Sequence, residues 1–160
     1  YRTFRLDSFE EALKGKGEPF SIIHIASHGF FGGEPEKTFV LTYETRLNMN
    51  KLEDLLKFER AEPVELLTLS ACDTAHGDDR AALGLGGVAV KAGARAALAS
   101  LWPLVDESTE LLVPEFYSQL RNSGLSKAQA LRNAQLSILR QERYSHPAYW
   151  SPFILIGNWL

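Results

Sequence analysis

Short apolar runs alternate with amphipathic stretches along the whole chain, and that alternation predicts an α/β protein built on a mostly parallel sheet. Phe20 to Ala26 reads as a buried strand ending at Ser27-His28-Gly29. Val64 to Leu69 reads as a second, ending at Ser70-Ala71-Cys72, and Ala96 to Trp102 as a third, stopped by Pro103. Phe153 to Ile156 is the last strand, and Phe39 to Tyr43 reads as half of a small hairpin. The runs are mostly uninterrupted, as expected of strands covered by helices on both faces.

The intervening stretches carry helix signals. Ser8 with Glu11 makes a capping box for a helix stopping near Gly15, and Asn50 with Glu53 another, for a helix carrying Leu52, Leu55 and Leu56. The small, glycine-rich stretch from Ala81 to Gly93 reads as a helix packed closely on the sheet. Asp106 or Ser108 caps a helix with the stripe Leu112, Phe116 and Leu120, which Pro114 should kink unless the helix starts there. Ser126 with Gln129 is a further capping box, for a helix turning Ala128, Leu131, Ile138 and Leu139 inward. Residues 30 to 36, with Gly32, Gly33 and Pro35, read as loop.

Composition narrows the class. One hundred and sixty residues suit a single domain over 1–160, and 45% apolar with 23% charged residues excludes a disordered chain. No apolar run approaches the roughly 20 residues of a membrane-spanning helix, so no membrane partner is expected. A net charge of −3 with no concentrated basic face points away from nucleic acid. The chain begins at Tyr1 without a signal-peptide pattern and reads as the C-terminal part of a longer protein. A single cysteine excludes an internal disulfide framework, and a lone thiol suits a reducing, cytoplasmic setting.

Two reactive side chains fall in equivalent places: His28 just past one buried strand and Cys72 just past the next. Ligands bind at that edge of open α/β sheets, and a helical crossover between parallel neighbours would let imidazole and thiol converge. A thiolate is a strong nucleophile, and an adjacent imidazole can take its proton or stabilise it as an ion pair. Gly29 and the Cys72 main chain could offer N–H groups to a developing oxyanion. The competing reading makes Cys72 a small buried hydrophobe at a strand end.

The segments His24-Ile-Ala-Ser-His28-Gly29 and Leu69-Ser-Ala-Cys72-Asp-Thr74 resemble the two signature segments of the CHAT domain, a caspase-like domain of clan CD often found behind tetratricopeptide repeats. The resemblance continues in order through Ala92-Gly-Ala-Arg95, Ala99-Ser-Leu-Trp102, Asp106-Glu-Ser-Thr109, Lys127-Ala-Gln-Ala-Leu-Arg132 and His146-Pro-Ala-Tyr-Trp150. It implies a caspase-like three-layer α/β sandwich, a bacterial and cytoplasmic setting, and a cysteine endopeptidase with catalytic His28 and Cys72. It also implies an oxyanion hole at Gly29 and Cys72. The first strand of a complete caspase-like sheet is missing from this stretch. In such domains the residue two before the nucleophile lines the pocket for the substrate residue preceding the scissile bond. Here that residue is Ser70, which favours a neutral or apolar partner, with Asp73 and Asp106 as further pocket candidates. No metal and no organic cofactor is called for. The expected partners are a protein or peptide substrate and an upstream repeat region or regulatory partner that relieves latency. The rival readings are a catalytically silent caspase-like scaffold and a nucleotide-binding α/β domain.

Several patterns resemble other sites. Gly84-Leu-Gly86-Gly-Val-Ala89 matches a dinucleotide fingerprint, yet a loop separates it from the preceding strand. His24, His28, Cys72 and His76 offer nominal zinc ligands, but His24 and His28 stand about 13 Å apart on an extended run. His24 reads as a core histidine supporting the site from beneath, and His146 as part of a packed turn with Tyr149 and Trp150. Trp102, Tyr149, Trp150 and Trp159 read as core packing, and Gln135 as a structural hydrogen-bonding residue.

Overall fold

Side chains along a strand alternate between its two faces, and in this chain both faces of the central strands are apolar. A computed structural model describes residues 3–15, 17–30, 36–57, 63–71, 87, 89–90, 92–102, 104–122 and 124–160. In chain order the elements are α1 (Leu6–Lys14), β1 (Ile22–Ser27), β2 (Gly29–Phe30), β3 (Phe39–Leu41), β4 (Arg46–Asn48), α2 (Met49–Lys57), β5 (Leu66–Ala71) and β6 (Ala96–Ser100). They continue with α3 (Asp106–Leu120), α4 (Lys127–Leu139), a 3-10 turn at Glu142–Tyr144, α5 (Pro147–Trp150) and β7 (Phe153–Gly157).

The main sheet has the order β1-β5-β6-β7. The first three strands run parallel and β7 runs antiparallel to β6. On one face, Ile23, Ile25, Leu67, Leu69, Ala97 and Ala99 pack against Leu52, Leu55 and Leu56 of α2, with the half-buried apolar side of α1 beyond. On the other, Leu66, Ala96 and Leu98 meet Leu112 and Phe116 of α3 and Ala130, Leu131, Ala134 and Ile138 of α4. Neighbouring residues thus serve opposite layers, which makes the fold the expected three-layer α/β sandwich with a mostly parallel sheet. β6 is buried along its whole length. The expected hairpin strand is the middle of a small antiparallel sheet, β2-β3-β4, standing over the end of β1.

The structure corrects several element boundaries. α1 starts at Leu6, before Ser8, and no side chain of its own caps it. Glu44 caps it from 38 residues away, accepting from the Leu6 N–H at 3.3 Å and pairing with Arg5 at 2.7 Å. α2 is capped by Asn48, not Asn50: Asn48 Oδ1 accepts from the Lys51 N–H at 2.9 Å. Neither Asp106 nor Ser108 caps α3, whose N-cap is Val105. The Ser108 hydroxyl turns inward and donates to the Val105 carbonyl at 3.1 Å. Pro114 lies inside α3, which neither starts nor stops there. Its missing N–H deprives the Glu110 carbonyl of the usual donor. α4 carries the predicted capping box, with Ser126 Oγ accepting from the Gln129 N–H at 3.2 Å and Gln129 Oε1 from the Ser126 N–H at 2.9 Å. Its buried face is Ala130, Leu131, Ala134 and Ile138, with Ala128 and Leu139 half-buried beside it.

β1 departs from the expectation of a strand covered on both sides. α3 and α4 lie over the other strands, so Phe20 is 51% and Ile22 41% exposed, and His24 and Ala26 also reach solvent. Of the helix expected over Ala81 to Gly93, Gly87, Ala89 and Val90 are described as helical, while Ala92 and Gly93 form a turn, with Gly93 at a φ of 95°, so the helix does not run to Gly93; the rest, including Gly84 and Gly86 of the glycine fingerprint, lies outside the described residues. Among the described residues no helix is long and apolar enough to cross a membrane.

Candidate active site

β1 and β5 end together. Their register sets Ala26 opposite Ser70 and Ser27 opposite Ala71, so the sheet's carboxyl edge lies at His28 on one strand and just past Ala71 on the other. The main chain around His28 is held by the small sheet. Its carbonyl accepts from the Leu41 N–H at 2.7 Å, and Ser27 Oγ donates to the Leu41 carbonyl at 2.6 Å. Antiparallel ladders alternate bonded and non-bonded pairs, so the next residue, buried Gly29 opposite Val40, directs its N–H away from β3.

His28 is exposed and its ring has no hydrogen-bond partner among the described residues. It opens onto a cleft of about 260 Å³ whose walls include Ala26, Ser70, Leu104 and Asp106. The structure therefore brings His28, Ser70 and Asp106 to one place, with Gly29 adjoining. Cys72 and Asp73 lie outside the described residues, as does His76.

A polar pair of side-chain contacts lies beneath the cleft. Ser70 is buried, and its Oγ sits 2.8 Å from His24 Nε2. Two residues back along β5, the buried Thr68 Oγ1 accepts from the Tyr117 hydroxyl at 2.9 Å. The Tyr117 and His24 rings stand 5.7 Å apart. His24 keeps one side in solvent, yet the loss of water around its ring holds its pKa below the usual imidazole value. Burial likewise raises the Tyr117 phenol, against the Thr68 hydrogen bond, which lowers it. His24 is therefore not the expected core histidine but an exposed one, which supports the floor of the cleft through Ser70.

The sign for stability follows. A histidine with a depressed folded pKa takes up its proton more readily when unfolded. Its contribution is complete above the unfolded value of about 6.5 and is lost as pH falls through the lower folded value. His24→Gln should flatten that part of the profile. Urea midpoints at pH 7 and pH 5, read in both proteins, check this; an unchanged difference between the two pH values in the variant would exclude His24 as a source.

Five lining residues are not among the expected site residues: Ala26, Ser27 and Leu104, and the polar pair Thr109 and Glu110. The available signal was the spacing of Glu110 from Asp106, one helical turn on the same face. The secondary readings resolve unevenly. Gln135 Nε2 donates to the Phe153 carbonyl at 3.3 Å, tying α4 to β7. His146 Nδ1 accepts from the Ala148 N–H at 3.2 Å and so caps α5. Trp102 and Trp150 donate to the carbonyls of Ala148 and Ser145. Trp159 is 56% exposed, which removes it from the expected core cluster.

The comparisons with known proteins agree with this architecture. The family model of the CHAT domain matches residues 2–158. Human tetratricopeptide repeat protein 28 is 33% identical over 98 residues, which is 60% of this chain and 4% of that protein. The mouse protein of the same name is 34% identical over 97 residues, 59% of this chain and 4% of that protein. The matched stretch is thus a small fraction of either relative. Both relatives are mammalian, which lends no support to a bacterial setting. With the family match running nearly end to end over a three-layer sandwich of the caspase-like kind, the chain belongs to the CHAT domain family.

Proposed function

We propose that this domain is a cysteine endopeptidase in which Cys72 is the nucleophile and His28 its base. The observation that carries the reading is the β1–β5 register: Ser27 lies opposite Ala71 on parallel neighbours, and each of the two is followed in the chain by one member of the pair. His28 takes the thiol proton as sulfur bonds to the peptide carbonyl carbon. The oxyanion is met by the Gly29 N–H, which the β2–β3 ladder leaves unused, and by the Cys72 N–H. The imidazolium then protonates the leaving amine, and water hydrolyses the thioester to free both enzyme and acid. The chemistry calls on no cofactor. The substrate is a protein or peptide, met in a reducing compartment such as the cytoplasm. The names of the relatives favour a repeat region upstream, whose engagement with a partner or ligand relieves latency.

The test is the rate of Cys72 alkylation against pH, read by intact mass, in this chain and in His28→Ala. The single cysteine makes the adduct unambiguous. The expected result is an apparent thiol pKa well below about 8.5 that returns to that value in the variant. A thiol that is slow and indifferent to His28 in folded protein, both in this chain and in the full-length protein, favours the silent scaffold; one that is slow here and fast in the full-length protein marks the latent enzyme.

A further inference from the structure

We propose that the cleft beside His28 receives a basic side chain, arginine before lysine, from the substrate residue preceding the scissile bond. The proposal rests on the peptidase reading and gives that site its substrate class. At about 260 Å³ the cleft falls short of the roughly 300–1,000 Å³ of a small-molecule or cofactor site. It is the size of one long side chain. Ala26 and Leu104 give it apolar walls, and an arginine or lysine stem packs on such surface while keeping its head polar.

The polar groups are where the head would lie. Asp106 and Glu110 line the cleft from α3, one turn apart, which sets their Cβ atoms about 6 Å apart on one face. Neither has an ion pair among the described residues, whereas Glu107 of the same turn binds Arg143 at 2.8 Å. Complementing the helix dipole accounts for an acid in the first turn but not for Glu110 in the second, where that effect has faded. An independent observation marks the same wall: Thr109 also lines the cleft, and its buried Oγ1 has no hydrogen-bond partner among the described residues. A buried polar atom left unsatisfied in a folded protein calls for a partner. A guanidinium offers five N–H donors in a planar fork, enough to serve both carboxylates together.

Magnitudes decide the sign. The start of α3 presents about half a unit of positive charge, against two full carboxylates. A basic side chain is attracted on balance and an acidic one repelled. Ser70 alone favours a neutral residue; Glu110, with Asp106, outweighs it.

The experiment measures Cys72 labelling by peptidyl chloromethyl ketones that differ only in the residue bearing the ketone: arginine, lysine, leucine or aspartate. Chloroacetamide serves as the reference for bare thiol reactivity. The expected order is arginine, lysine, leucine, aspartate, with arginine ahead of leucine by roughly ten- to a hundredfold, the range of charge-assisted hydrogen bonds. In the double variant D106N/E110Q the arginine-to-leucine ratio should collapse towards one. Peptidyl ketones that outrun chloroacetamide without any basic preference, or with one that survives in D106N/E110Q, overturn the pocket assignment and leave the peptidase standing. If no peptidyl ketone outruns chloroacetamide, the peptidase reading falls and the pocket assignment with it.

Discussion

Phe116→Ala is expected to lower the stability of the fold by about 3–5 kcal/mol. Phe116 is fully buried in the middle of α3, in the layer formed with Leu66, Leu98 and α4. Its ring also meets that of Tyr117, with centroids 5.3 Å apart. The cost of removing it has two parts, the lost transfer of the ring out of water and the cavity left behind. The second part is large here because Ala96, Ala130 and Ala134 share the same cluster and have no side chain to swing into the gap. Against a total stability of about 5–15 kcal/mol for a typical domain, such a loss is severe. For a chain of this length it corresponds to a melting temperature lower by roughly 6–20 °C. Thermal and urea unfolding read it directly; a loss below about 1 kcal/mol would mean that α3 does not close this layer.

His28→Ala is expected to do the reverse: little to the fold and much to the reaction. The His28 ring is exposed, and the bond that fixes the segment is made by its main-chain carbonyl, which alanine retains. On the proposed mechanism the variant loses both the group that deprotonates the thiol and the one that protonates the leaving amine. Acid–base groups of this kind contribute about 10²–10⁴-fold, so cleavage of a peptide with arginine before the scissile bond should fall by that factor with an unchanged urea midpoint. A fall of less than about tenfold would remove His28 from the chemistry. Together the two variants separate what holds the sandwich together from what it does.

What could be read in advance depended on whether a signal was local. The central strands were legible as apolar runs because a strand buried on both faces has no other way to look. The Ser126 capping box was legible because both of its hydrogen bonds close within four residues. The start of α1 was not, since its cap is Glu44, from the other side of the small sheet. α2 was misread by two positions because Asn48 and Asn50 both offer a capping amide and only the backbone decides between them. Exposure along β1 was hidden for a related reason: Phe20 and Ile22 read as core, and only the lateral placement of α3 and α4 leaves them uncovered. At the site, His28 and Ser70 could be placed by their positions at strand ends. Thr109 and Glu110 were not, because the one-turn spacing from Asp106 puts Glu110 on its face but does not say that this face meets the sheet's edge, which depends on how α3 is laid against the sheet.

The layered build has a consequence for how such a domain can diverge. His28, the proposed base, stands on the sheet, on a backbone locked by the Leu41 contacts, while the two carboxylates of the proposed pocket stand on the first turns of a helix laid across the sheet's edge. Replacing Asp106 or Glu110 disturbs neither strand register nor core, since both are exposed and unpaired among the described residues. On the proposed reading, recognition can therefore be rewritten by exchanging a few letters on one helical face while the reacting groups stay in place, so that domains with one chemistry can come to answer to different targets.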